Sequence, residues 1–202
     1  MSRIGLVALV LAAATAAGAV HPYLALRVCQ PWDEDIQATY RALPELGFGV
    51  RSPRTDKVAL DAGLSARLAN GAGEFSDFRL WDATGRIAVE FVLNRTLGLA
   101  VAPGVLYKYA VERRPDHDSA HNIIQRDFGG SSIGFFARAG VTLFRFGEAH
   151  LNVETGMELV SVQTARRVDW GPFGWWGYQR LPLHSFDLGI VVGYGGARSD
   201  QE

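Results

Sequence analysis

Long apolar runs, cysteines and net charge are all scarce in this chain, and each scarcity excludes a class of protein. The single cysteine, Cys29, cannot form an intramolecular disulfide, so no cystine framework staples the fold. Leu26-Arg27-Val28 before it puts an arginine where a lipid-attachment signal wants small neutral residues. A formal net charge of -1 gives no basic footprint, which argues against nucleic acid as a partner. Beyond the first 19 residues no stretch is apolar enough for a spanning helix. The chain is nevertheless 48% hydrophobic, and it carries 23 glycines in 202 residues against a usual share of about 7%. Composition leaves a soluble β protein and a membrane barrel both open.

Arg3 precedes an apolar and small-residue run from Ile4 to Ala16, and Ala17-Gly18-Ala19 has the small-x-small cleavage pattern. Residues 1–19 therefore read as a secretory signal peptide, since the run is short against the roughly 20 residues of a membrane anchor. In the segment 20–44 that follows, Asp33-Glu34-Asp35 precedes Ile36, Tyr40 and Leu43 on one helical face, and Pro44 stops the pattern. One short amphipathic helix is expected there.

From Leu46 onward the period is two. Val58 to Leu68 alternates Val58, Leu60, Ala62, Leu64, Ala66 and Leu68 with Asp61, Gly63, Ser65 and Arg67. The same alternation runs through Ile87 to Asn94, Leu97 to Glu112, Ile133 to Leu143, Leu151 to Leu159 and Phe186 to Gly195. Pro103 predicts a bulge. With two weaker segments, Leu46 to Arg51 and Phe75 to Trp81, the count reaches eight. The fold class is then all-β, a closed antiparallel up-and-down barrel over residues 45–197. Short connections near Ala69 to Glu74, at Arg95-Thr96 and around Gly147 are expected at one end. The long ones, Arg113 to Gly130 and Gln163 to Leu183, are expected at the other end with the shorter Ser52 to Asp56 and Asp82 to Gly85.

The polar face decides which side points outward. It mixes Gly47, Gly49, Gly63, Gly98, Gly104, Gly134, Gly140, Gly156, Gly189, Gly193 and Gly195 with charges of both signs. Glycine weakens a solvated strand and packs nothing. Inside a narrow barrel it makes room for long side chains opposite, and an eight-strand barrel is only just wide enough to be filled. Asp61, Arg67, Glu90, Lys108, Glu112, Arg138, Glu154, Glu158 and Asp187 are therefore expected in the lumen, paired with one another.

Asp187-Leu188-Gly189-Ile190-Val191-Val192-Gly193-Tyr194 resembles the final-strand signal read by the barrel-assembly machinery: polar, any, glycine, two of any kind, apolar, any, aromatic. On this motif and the strand pattern, the chain from about Leu46 to Ala197 resembles the small eight-stranded outer-membrane β-barrel family. The resemblance implies a bacterial outer-membrane location, surroundings of outer-membrane lipid and lipopolysaccharide, and insertion by the assembly machinery. The residues past the aromatic, with 198–202 at their end, read as a periplasmic tail.

No catalytic, cofactor-binding or metal-binding residue is assigned. His117 and His121, with Asp116, Asp118 and Ser119, form a polar cluster better read as a solvated loop than as a metal site, because their spacing has no helix to support it. His184 and Ser185 would point to opposite faces of a strand. Trp170, Phe173, Trp175, Trp176 and Tyr178 read as interfacial anchors, with a binding surface as the alternative. The expected function is a surface scaffold with any recognition in the two long outer loops. A lipid A-modifying enzyme comes second and an exported soluble ligand-binding barrel third.

Overall fold

The computed structural model describes residues 20–52, 57–94, 97–117, 120–147, 149–170 and 173–194, the side chains of 165–170 and 173–179 excepted. The expected signal peptide and the tail 198–202 lie outside the described residues. In chain order the elements are β1 (His21–Pro31), α1 (Glu34–Tyr40), β2 (Leu43–Arg51), β3 (Val58–Asn70), a 3-10 turn (Gly73–Phe75), β4 (Arg79–Asn94), β5 (Leu99–His117), β6 (Ile123–Phe146), β7 (Ala149–Leu159), β8 (Ser161–Trp170), β9 (Phe173–Pro182) and β10 (Ser185–Tyr194). β1 to β7 pair antiparallel in sequence order, β7 pairs with β10, and β10 returns to β1, closing an eight-stranded barrel. β8 and β9 prolong β7 and β10 beyond the barrel as one long hairpin, which touches β6 at Gly130 and Ser131.

The closed antiparallel architecture and the short helix agree with the sequence reading, but two strand assignments differ. The barrel begins at His21, inside the segment expected to carry only a helix: Leu24, Leu26 and Val28 point outward while Ala25, Arg27 and Cys29 are buried. Pro22 and Pro31 sit near the ends of this strand, where a missing N–H costs least. Conversely, Phe75 to Trp81 and Ile87 to Asn94 are not two strands, because Arg79 to Asn94 is continuous and Asp82 to Gly85 is mid-strand. The number of strands is preserved, yet the connections change ends. Ser52 and Lys57, Leu97 and Gly98, and Gly147 lie at the barrel end where β1 starts at His21 and β10 stops at Tyr194, and 71–78 lies at the opposite mouth with α1 and the two long hairpins. Pro103 leaves the register unchanged between Ala88↔Gly104 and Phe91↔Val101. The shifts fall instead between Val92 and Asn94 and between Thr142 and Phe144.

Outward side chains form an apolar belt: Leu24, Leu26, Leu46, Phe48, Leu60, Leu64, Ile87, Phe135, Leu188 and Ile190 are all exposed. Aromatic residues border it. Phe144, Phe146 and Tyr194 stand at the end where the termini lie. Trp32 packs on Phe186 at 4.5 Å and Trp81 on Tyr109 at 5.5 Å toward the other end. Phe186 to Tyr194 spans eight residue steps, which at about 3.4 Å each and about 40° of tilt rises about 21 Å, near the roughly 25 Å of an outer-membrane apolar band. Glycines do open space for lumen side chains: a Cβ on Gly49 would lie 2.4 Å from the Tyr23 hydroxyl, and one on Gly189 2.4 Å from Arg27 Cγ.

Two substitutions test the orientation and depth of this belt. Ile190→Arg, midway along β10, is expected to cost about 2–4 kcal/mol, and Tyr194→Arg at the rim about 0–1 kcal/mol. Urea unfolding from lipid vesicles, followed by the gel shift between folded and unfolded forms, measures both. Equal costs at the two positions would contradict a lipid-facing wall.

Candidate functional site

The lumen is layered. Nearest the termini, Tyr23 donates its hydroxyl to Asp61 Oδ1 at 2.9 Å, and Arg51 lies 2.9 Å from Glu90 and 3.4 Å from Asp61. At mid-height Glu45 and Glu158 are the hubs. Glu158 accepts from Arg67, from Arg86 Nε at 3.1 Å and from Lys108 Nζ at 2.7 Å. Glu45 accepts from Arg86 Nη2 at 2.7 Å and Arg27 Nη1 at 3.1 Å, and the other fork of Arg27 reaches Glu154 at 2.9 Å. Asp82 lies 3.1 Å from Arg67 Nε, and Arg138 is 3.7 Å from Asp187, Glu45 and Glu158. Toward the other mouth the filling turns apolar: Leu80, Leu106, Ala110, Val160, Val162, Leu181 and Leu183 pack with Ile36, Tyr40 and Leu43.

α1 closes that mouth. Asp33 caps it by accepting the Ile36 N–H at 3.2 Å, Ile36, Thr39 and Tyr40 are its buried face, and Tyr40 donates to Glu112 Oε1 at 2.9 Å. A cavity of about 30 Å³ lies between Tyr23, Arg27, Arg138, Asn152 and Glu154, room for water and not for a channel.

All nine charges placed in the lumen from the sequence, Asp61, Arg67, Glu90, Lys108, Glu112, Arg138, Glu154, Glu158 and Asp187, are buried there. Sequence reasoning missed Arg27 and Glu45, which lie in or beside the segment read as helical, and Arg51, Asp82 and Arg86, which fell at or in expected connections. The signal was present in Leu24, Leu26 and Val28 alternating with Ala25, Arg27 and Cys29.

The polar groups weighed for chemistry are held in structural roles. His184 accepts the Val160 N–H at Nδ1 (3.0 Å), which puts its ring proton on Nε2, 3.4 Å from Ser161 Oγ. That imidazole donates to the hydroxyl instead of taking its proton. Ser185, on the lumen side, accepts from Arg67 Nη1 at 3.3 Å. In the first long hairpin Asp116 is buried and lies 3.3 Å from Arg126 while His117 is exposed, and Asp118 and Ser119 lie outside the described residues. Among the described residues no group of three or more His, Cys, Asp or Glu is arranged to hold a metal ion. The side chains of the aromatic stretch, Trp170, Phe173, Trp175, Trp176 and Tyr178, lie outside the described residues as well.

No protein-family model and no curated protein matches the chain in sequence. Solved structures match in shape. Neisserial surface protein A covers 87% of this chain and 95% of its own at a TM-score of 0.52 and 10% identity. A major outer membrane protein from Thermus thermophilus covers 86% and 98% at 0.56 and 10%, and outer membrane protein AlkL, solved in lipid bilayers, 91% and 92% at 0.56 and 12%. The fold is that of the small outer-membrane barrels. At these identities the likeness concerns the path of the chain, and this barrel's charged plug is read from its own residues.

Glu158 is where that plug is most vulnerable. Glu158→Gln removes the anion shared by Arg67, Arg86 and Lys108, and leaving such buried cations uncompensated is expected to cost about 3–5 kcal/mol. Denaturant titration of folded protein in micelles measures the loss, and a cost under about 1 kcal/mol would show that the network does not depend on this hub.

Proposed function

We propose that this chain is an integral protein of the bacterial outer membrane, a closed scaffold that carries two long hairpins beyond the outer face of the bilayer. The observation that carries this reading is the inverted distribution of side chains: Leu68 is 71% and Ile133 73% exposed while Lys108 and Glu158 are fully buried. A soluble ligand-binding barrel would direct that apolar face inward. In hydrocarbon the same face is solvated by lipid, and closure satisfies the backbone. The motif ending at Tyr194, with its aromatic side chain outward at the end of β10, supports insertion by the barrel-assembly machinery.

The two segments expected as loops are mostly paired strand. Arg113↔Asp127 through His117↔Ile123 extend the β5–β6 ladder, and Ser161↔Pro182 through Trp170↔Phe173 form the second hairpin. They project past Trp81, Tyr109 and Trp32, so recognition of a surface partner is assigned to them. The imidazole at His184, a donor toward Ser161, favours this scaffold reading over a lipid A-modifying enzyme.

Two experiments test the proposal. In planar bilayers the purified protein is expected to give no steady porin-sized conductance, because the lumen is filled; regular large steps would overturn the plugged-scaffold reading. Replacing residues 116–124 and 165–178 by Asn-Gly turns is expected to leave heat-modifiable folding intact, since shortening a loop costs little closure entropy, and to abolish attachment of cells to their surface partner. A trimmed barrel that folds and retains full attachment would move recognition to the wall or lumen.

A further inference from the structure

The outward face of β4 and β5 at the outer rim carries a pairing that the fold by itself does not favour. Arg79 and Arg113 are direct cross-strand partners, both exposed and both outward, and like charges directly opposite one another in a sheet are destabilising. Their neighbours compensate incompletely. Asp127 on β6 holds Arg113 in a two-pronged contact, Nε to Oδ1 at 2.6 Å and Nη2 to Oδ2 at 2.9 Å. Arg79 donates to Asn70 Oδ1, which orients its guanidinium without neutralising it. In these contacts two guanidiniums share one carboxylate, so Arg79 is oriented but left without an anion among them.

Height gives this charge a partner. Trp81 lies two residues along β4 from Arg79, outward and packed on Tyr109. Rings of that kind mark the edge of the hydrocarbon. Two residue steps at about 3.4 Å, tilted about 40°, lift Arg79 about 5 Å above Trp81, which lies within a headgroup layer of about 5–8 Å per leaflet. Arginine forks match phosphate oxygens in geometry as well as charge.

We infer that Arg79 and Arg113 form a binding site for a phosphate group of an outer-leaflet lipid, held at the rim above Trp81 and Tyr109. Asn70 and Asp127 act as positioning residues for the two guanidiniums. The inference rests on the membrane-embedded reading above and adds a fixed lipid contact to it.

The test uses the full mature barrel folded in micelles, with bis-phosphorylated lipid A and the same lipid A stripped of phosphate as probes, and co-elution or native mass spectrometry as the readout. Wild type is expected to retain the phosphorylated lipid about tenfold better than the stripped one, with the preference fading as salt is raised. R79Q/R113Q is expected to lose that preference while keeping its gel shift and its binding of stripped lipid A. Arg145→Gln, at the opposite rim, is expected to leave the preference unchanged. If the double variant does not fold, R79Q alone carries the test, with most of the preference expected to disappear. A wild type without preference, or a folded variant that keeps it, overturns the site and leaves the barrel standing. Failure of wild type to partition into membranes or to show heat-modifiable migration overturns the membrane reading itself.

Discussion

Hydrocarbon supplies no hydrogen bonds, so a strand that crosses it must find a partner on both sides, and here the return of β10 to β1 removes the last free edge. Nine residue pairs from Tyr23↔Gly193 to Pro31↔Ser185 join the two ends of the described chain. Once that seam is closed, the number of strands limits the interior width, and the width limits what the interior can hold. A barrel this narrow has to be filled by its own side chains, which is why glycine and arginine recur together on its inner face.

The filling is electrostatic at one level and apolar at another, and the division follows the chain. Glu45 and Glu158 stand on β2 and β7, far apart in sequence, and each draws guanidinium groups from several strands. Burying such groups is costly unless each charge finds a partner, so removing one member of the network leaves its partners buried and uncompensated. Above it, α1 brings Ile36 and Tyr40 over Leu80, Leu106 and Leu183 and closes the mouth as the apolar core of a soluble domain would.

Much of this is legible in the residues. Period-two alternation places apolar side chains on one face, glycines and charges on the other, and the two-sided pattern of Asp61, Arg67, Glu90, Lys108, Arg138, Glu154 and Glu158 places them inside. The first strand is easily passed over despite the alternation of Leu24, Leu26 and Val28 with Ala25, Arg27 and Cys29, because it follows directly on the apolar N-terminal run and precedes a helix signal at Asp33. The break expected near Asp82 to Gly85 comes from Ala83, Thr84 and Gly85, small residues that read as a turn but form an unbroken ladder with Tyr109, Lys108 and Tyr107. The hairpins beyond the rim read as loops because alternation fades where neither face of a strand meets lipid.

Period and sidedness are written in the residues, since both are properties of one strand: alternate residues point to opposite faces, and hydrophobicity says which face leaves water. Which charge meets which, and at which end each connection lies, emerges only when the strands assemble. Pairing of Glu158 with Arg67, Arg86 and Lys108 depends on the register and shear of strands separated by up to 91 residues, and no local pattern encodes a distance around the ring. The meeting of Arg79 with Arg113 at the outer rim has the same origin, because a one-residue slip of β4 against β5 would turn one of them inward.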